Sequence, residues 1–124
     1  MNRVVHFEIE ADKPKRAINF YKTVFGWKFE KWKGSNIDYW VIYTGRGPGI
    51  NGGLSKRRTK GKGSTAFVCT VQVASLDKTA RKIKKTGGSV TSTMLPVRGV
   101  GWMAMCKDTE GNTFGLIQND RSAK

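Results

Sequence analysis

The chain has 124 residues, of which 23 are Lys or Arg and 9 are Asp or Glu, giving a formal net charge of +14. That length buries roughly two-thirds of the unfolded surface, enough for one core and too little for two autonomous domains. No window approaches the ~20 apolar residues of a membrane span and no apolar signal region opens the chain, so a cytoplasmic protein without a membrane partner is the expectation.

Val4 to Glu10 alternates apolar and polar residues and predicts a first strand. Asp12 then offers an N-cap acceptor and Pro14 a ring preset to helical φ. Ala17, Phe20, Tyr21 and Val24 recur at helical spacing, and Gly26 predicts the helix end. Runs at 27–32, 39–44 and 50–54 read as three short strands, rich in aromatic and β-branched residues and parted by Gly, Ser and Pro. The order is β-α-β-β-β.

Residues 55–63, SKRRTKGKG, read as a solvated basic linker. The order then repeats. A strand is expected at 66–73, Ser75 as a cap, a helix face of Leu76, Ala80 and Ile83, and a stop at Gly87-Gly88. Strands are expected at 89–94, 101–106 and 113–118, with Glu110-Gly111-Asn112 as the turn before the last and residues 119–124 as a short polar tail.

Sliding the chain over itself by 62 positions superposes Gly26 on Gly88, Trp40 on Trp102, Gly49 on Gly111, Gly53 on Gly115 and Leu54 on Leu116. A doubled module implies a pseudo-symmetric α+β fold of the whole chain, 1–124, with modules at about 3–54 and 64–118. Each module must close against something else, either the other module or that of a second chain.

The run HFEIEADKPKRAINFYKTVFGWKFEKW, the GINGGL segment and the closing KDTEGNTFGLIQ resemble the vicinal oxygen chelate superfamily, which includes glyoxalase I, bleomycin-resistance proteins and extradiol dioxygenases. The resemblance runs from Val4 to Gln118. It implies paired βαβββ modules forming a cup-shaped mixed sheet with helices on the convex face, in a homodimer. It also implies metal ligands on the first and fourth strand of each module, which here are His6, Gly53, Val68 and Gly115.

Only His6 of those four can coordinate, whereas divalent catalytic sites normally use three protein ligands. Glu8 shares a strand face with His6 and adds a carboxylate; both are candidate general bases. Thr70 and Gln72 hold the corresponding face of the second module, and their oxygens are poor ligands for zinc, nickel or iron. No metal or other cofactor is therefore expected. Gly53, Val68 and Gly115 leave a roomier, more apolar floor that suits a ligand body. Trp40 and Trp102 either face inward and clamp a planar ligand with those residues, or pack beneath the helices; sequence leaves both open.

Cys69 and Cys106 lie in predicted strands without clustered spacing and read as reduced core thiols. Asp108, Glu110, Gly111 and Asn112 supply too few regularly spaced oxygens for a calcium loop and read as a structural turn. The basic residues gather in the linker, at Lys56, Arg57, Arg58, Lys60 and Lys62, and on the second helix, at Lys78, Arg81, Lys82, Lys84 and Lys85. Without interleaved aromatics they predict a solvated surface that binds nucleic acid only nonspecifically at low salt. The sign of the charge disfavours a cationic drug as ligand. Three functions follow: binding of a small anionic or neutral molecule without the usual metal; a metal-dependent lyase, isomerase or dioxygenase; and a nucleic-acid-associated basic protein. If the chain is an enzyme, the resemblance points to lactoylglutathione-lyase-like or dioxygenase-like chemistry.

Overall fold

The computed structural model describes residues 1–34, 37–57 and 66–124. Arg58, Lys60 and Lys62 of the expected linker lie outside the described residues. The chain divides into two compact units, His6–Val68 and Met1–Val5 with Cys69–Lys124. Among the described residues, no helix is long and apolar enough to cross a membrane.

The first-module unit contains β1 (Arg3–Ala11, from His6 onward), α1 (Pro14–Phe25), β2 (Lys28–Lys31), β3 (Tyr39–Tyr43) and β4 (Asn51–Lys56). Its strands lie in the order β2-β3-β4-β1, with β1 parallel to β4 and the other pairs antiparallel. Alternation along the strands puts Phe7, Ile9, Ile42 and Leu54 into one buried cluster, against which Ala17, Ile18 and Tyr21 of α1 pack. Leu54 and Ile42 are fully buried, and each contributes about 1.5–3 kcal/mol of transfer free energy.

Three expectations for this module are corrected. Asp12 does not cap α1: the N-cap is Lys13, with no side-chain bond, and Asp12 instead pairs with Arg57 Nη1 at 3.1 Å. The apolar face is rotated toward Ile18, leaving Phe20 and Val24 exposed. Phe20 instead meets the edge of Tyr21, whose ring stacks on Trp27 at 5.1 Å. The expected linker begins as structure, since Ser55 and Lys56 belong to β4 and Arg57 N donates to Ala11 O at 2.9 Å. Gly26 does end the helix, in the left-handed region at φ 73° that a residue without Cβ adopts at little cost.

The second unit contains β5 (Val68–Gln72, from Cys69), α2 (Leu76–Lys85), β6 (Ser89–Val90), β7 (Leu95–Val97), β8 (Gly101–Lys107) and β9 (Thr113–Asn119). The order is β5-β9-β8-β6, with β7 also paired to β8. Val73, Leu76, Ala104, Cys106 and Leu116 form its buried cluster. Ser75 caps α2 as expected, its Oγ accepting from Lys78 N, and Gln118 Oε1 accepts from Leu76 N at 2.8 Å.

Here too the boundaries move. The left-handed residue after α2 is Gly87, not Gly88, so Gly88 is not the positional equivalent of Gly26. The strand expected at 89–94 stops at Val90, because Ser92 Oγ accepts the Met105 N–H in place of a strand carbonyl. β7 is absent from the expected elements; the structure seats it, with Pro96 at its centre, as a three-residue strand on β8. The polar tail is folded onto its unit: Gly99 N donates to Ala123 O at 3.0 Å and Ala123 is buried. The turn before β9 is the structural device expected. Asp108 Oδ1 accepts from Glu110 N and Asn112 N, and Oδ2 accepts from Asn112 Nδ2. Those bonds, the Asn112 side chain's first, hold the Asp108 carboxyl below the usual range.

Candidate functional site

Because strand side chains alternate, burying Phe7 and Ile9 beneath α1 turns His6 and Glu8 to the opposite face of β1. There the two side chains meet, His6 Nε2 lying 2.5 Å from Glu8 Oε2. A third group, not anticipated from sequence, completes the cluster. Ile42 and Trp40 of β3 pack on the helix side, so Tyr39 projects to the other, where its hydroxyl donates to Glu8 Oε2 at 2.7 Å and lies 3.4 Å from His6 Nε2.

Tyr39 reaches Glu8 across Gly53. In the register, Glu8 and Val41 are the Cα partners of Gly53 on its two sides, and Tyr39 is two residues along β3 from Val41. A Cβ at position 53 would stand 1.7 Å from the Tyr39 hydroxyl and 2.2 Å from its Cζ. Glycine is therefore required by close approach rather than by φ. Burial, then the Glu8 charge and the bond to Glu8, push the Tyr39 phenol well above its ordinary value, so it remains a protonated donor. The sequence signal for Tyr39 is its alternation with Trp40 and Ile42 opposite a mid-strand glycine.

The donor set does not fit the divalent metal that the resemblance implies. Of the ligand positions in this unit, His6 alone carries a donor, Gly53 has its side-chain space taken by Tyr39, and Val68 is inert. The facing atoms of His6 and Glu8 are already engaged with each other and with Tyr39. Among the described residues, no three His, Cys, Asp or Glu side chains group where one ion could be held.

In the second unit Thr70 is buried and faces Gly115, at which a Cβ would lie 2.9 Å from Thr70 Oγ1 and 3.6 Å from Met105 Sδ. Gln72 lies two residues further on β5, half-buried, and aligns with Ile117. The inward clamp is corrected. Trp40 packs on the helix-side cluster of its unit with Lys31 Nζ 4.5 Å from its ring, and Trp102 packs on that of the second unit, donating Nε1–H to Asp120 at 3.2 Å. Each ring shares a strand face with a core residue, which fixes it away from the polar face. Concavities of about 170 and 450 Å³ open beside α1, lined in common by Ala11, Ala17, Tyr21 and Arg57; neither touches His6, Glu8 or Tyr39. Convergent titratable groups, not volume, mark the candidate site.

The chain belongs to the Glyoxalase/Bleomycin resistance protein/Dioxygenase superfamily, whose model matches residues 3–116. Among solved structures it is similar to methylmalonyl-CoA epimerase from Mycobacterium tuberculosis, with a TM-score of 0.69 and 14% identity over 94% of this chain and 87% of that one. A hypothetical protein from Bacillus halodurans C-125 superposes with a TM-score of 0.71 at 12% identity, covering 98% of this chain and 97% of the other. A single-substitution variant of Streptomyces coelicolor methylmalonyl-CoA epimerase, in complex with 2-nitronate-propionyl-CoA, gives 0.66 at 15% identity over 99% and 98%. At such identities these likenesses speak to the fold. No curated protein matches the chain in sequence.

Proposed function

We propose that this protein binds a small anionic or neutral molecule at the His6–Glu8–Tyr39 face without the divalent metal usual in the superfamily. One observation carries the reading: the Tyr39 hydroxyl stands where a ligand side chain at position 53 would have to be. What remains is a hydrogen-bonding site in which imidazole N–H and phenol O–H can donate to a ligand's carbonyl or carboxylate oxygens, while the Glu8 carboxylate can accept from a hydroxyl or an N–H. The net charge of +14 favours encounter with anions. Solved relatives of the same fold were captured with methylmalonyl-CoA and with 2-nitronate-propionyl-CoA, which makes acyl-CoA thioesters the first class of ligand to try.

Any turnover at this site is proton transfer, with Glu8 or His6 as general base, because these two side chains can accept a proton at the same face. Calorimetry in chelator-containing buffer, against a panel of acyl-CoA thioesters and small carboxylates, tests the reading. Binding is expected, and His6→Ala weakens it by about 10- to 100-fold, the worth of a hydrogen bond to a charged group. Binding that appears only when a divalent metal is supplied would overturn it.

A further inference from the structure

We propose that Tyr39 is the specificity-determining residue of this site: its ring fills the space a coordinating side chain at position 53 needs, so the His6–Glu8 pair is held to hydrogen-bonded ligands and closed to metal ions. The inference rests on the metal-free reading above and gives it a cause. Three observations support it. The overlap at position 53 is with the hydroxyl end of the Tyr39 side chain and the adjoining part of its ring, 1.7 Å to the hydroxyl, 2.2 Å to Cζ and 2.8 Å to Cε2, so the whole ring must swing aside to admit a side chain. The ring is tethered at its tip, since turning it away breaks the 2.7 Å bond to Glu8 Oε2. At the matching position in the second unit, Gly115, the nearest atoms are Thr70 Oγ1 at 2.9 Å and then the Met105 sulfur and Thr70 Cβ at 3.6 Å, so a side chain there needs a small rotation of Thr70.

Gly53 is thus more than a lost ligand. It makes room for Tyr39, and a ligand at 53 would have to displace the Tyr39 ring and break its bond to Glu8. Removing the ring and placing an imidazole at position 53 would bring His6, Glu8 and a side chain on the Cα partner of Glu8 together on adjacent parallel strands, which is the three-donor set that a borderline divalent ion requires.

The experiment is a Co²⁺ titration, followed by the visible absorption of the bound ion, of the full chain and of Gly53→His, Tyr39→Ala and Tyr39→Ala/Gly53→His. The double variant is expected to bind one Co²⁺ per chain about ten-fold or more tighter than any of the other three, with loss of binding on adding His6→Ala. Gly53→His binding as tightly as the double variant would overturn the proposal, and so would a folded double variant that does not bind. Should the double variant fail to fold, Gly53→Ala is compared in the Tyr39 and Tyr39→Ala backgrounds. A fall in melting temperature that is at least halved by removing the ring supports the proposal, and equal falls overturn it. If the exclusion fails while the unaltered chain still binds an acyl-CoA thioester in chelator, the proposed function stands alone. If the unaltered chain binds Co²⁺ through His6, both fall.

Discussion

The two units repeat one plan on their helix sides and part company on the opposite face. Leu54 and Leu116 are both buried, and Trp40 and Trp102 both pack against the cluster beneath their helix. On the other face the first unit gathers an imidazole, a carboxylate and a phenol over Gly53, while the second has a buried Thr70 and a thioether beside Gly115. The helix side is constrained by close packing, where a change of one methylene is felt. The other face is packed too, Tyr39 over Gly53 and Thr70 beside Gly115, but with different residue types in the two units, so one architecture carries two different surfaces.

The broadest way to break this comparison is through the cores. Leu54→Ala and Leu116→Ala each remove a fully buried side chain and are expected to cost about 2–5 kcal/mol, measured by chemical denaturation. A much smaller cost for one would mean that the units are not equally cored. Next, Gly53→Ala overpacks a tethered ring and is expected to cost about 1–3 kcal/mol, whereas Gly115→Ala costs less because Thr70 can rotate. Equal costs in thermal melts would erase the difference between the two faces.

Tyr39→Phe sharpens the contrast more gently. It loses one hydrogen bond, about 0.5–1.5 kcal/mol, and still fills the space over Gly53. Because the folded-state phenol is pushed up, the unfolded chain loses this proton first as pH rises. The associated stability is intact below about pH 10 and falls above it. Alkaline melts should show that fall in the unaltered protein and a weaker one in Tyr39→Phe.

Two smaller effects belong to the second unit. Burial pushes the Cys106 thiol up, so at mildly alkaline pH mass spectrometry should find Cys69, which is half-buried, alkylated before Cys106. Asp108→Ala removes the acceptor that organises the last turn, for which the first module has Arg46 at the matching place, and should lower the melting temperature slightly. Asp108 is held low in the folded state, so its contribution is present above the ordinary carboxylate value near 4 and is lost as pH falls below it. The unaltered protein and Asp108→Ala should therefore converge in acid.

Much of the fold is legible in the sequence because its signals are local. Pro14 and Gly26 bound α1, Ser75 caps α2, and Asp108 closes its own turn, each through a bond or dihedral within a few residues. Ser92 and Pro96 hide their strand pattern, because the first spends its side chain on a strand N–H and the second has none to give. Asp12 looks like a cap because capping residues are recognised by type, but its partner, Arg57, lies 45 positions away in the sequence. The site divides the same way. Alternation on β1 is enough to put His6 beside Glu8, and residue type alone disqualifies Gly53 and Val68 as ligands.

Sequence by itself determined the class, the doubled module and the missing donors, since these depend on periodicity, backbone geometry and which side chains can coordinate. Tertiary structure decided which faces Trp40 and Trp102 occupy and that Tyr39 fills the space above Gly53. Strand register and the depth of the helix-side core set those contacts, and neither is written in the spacing of residues along one strand.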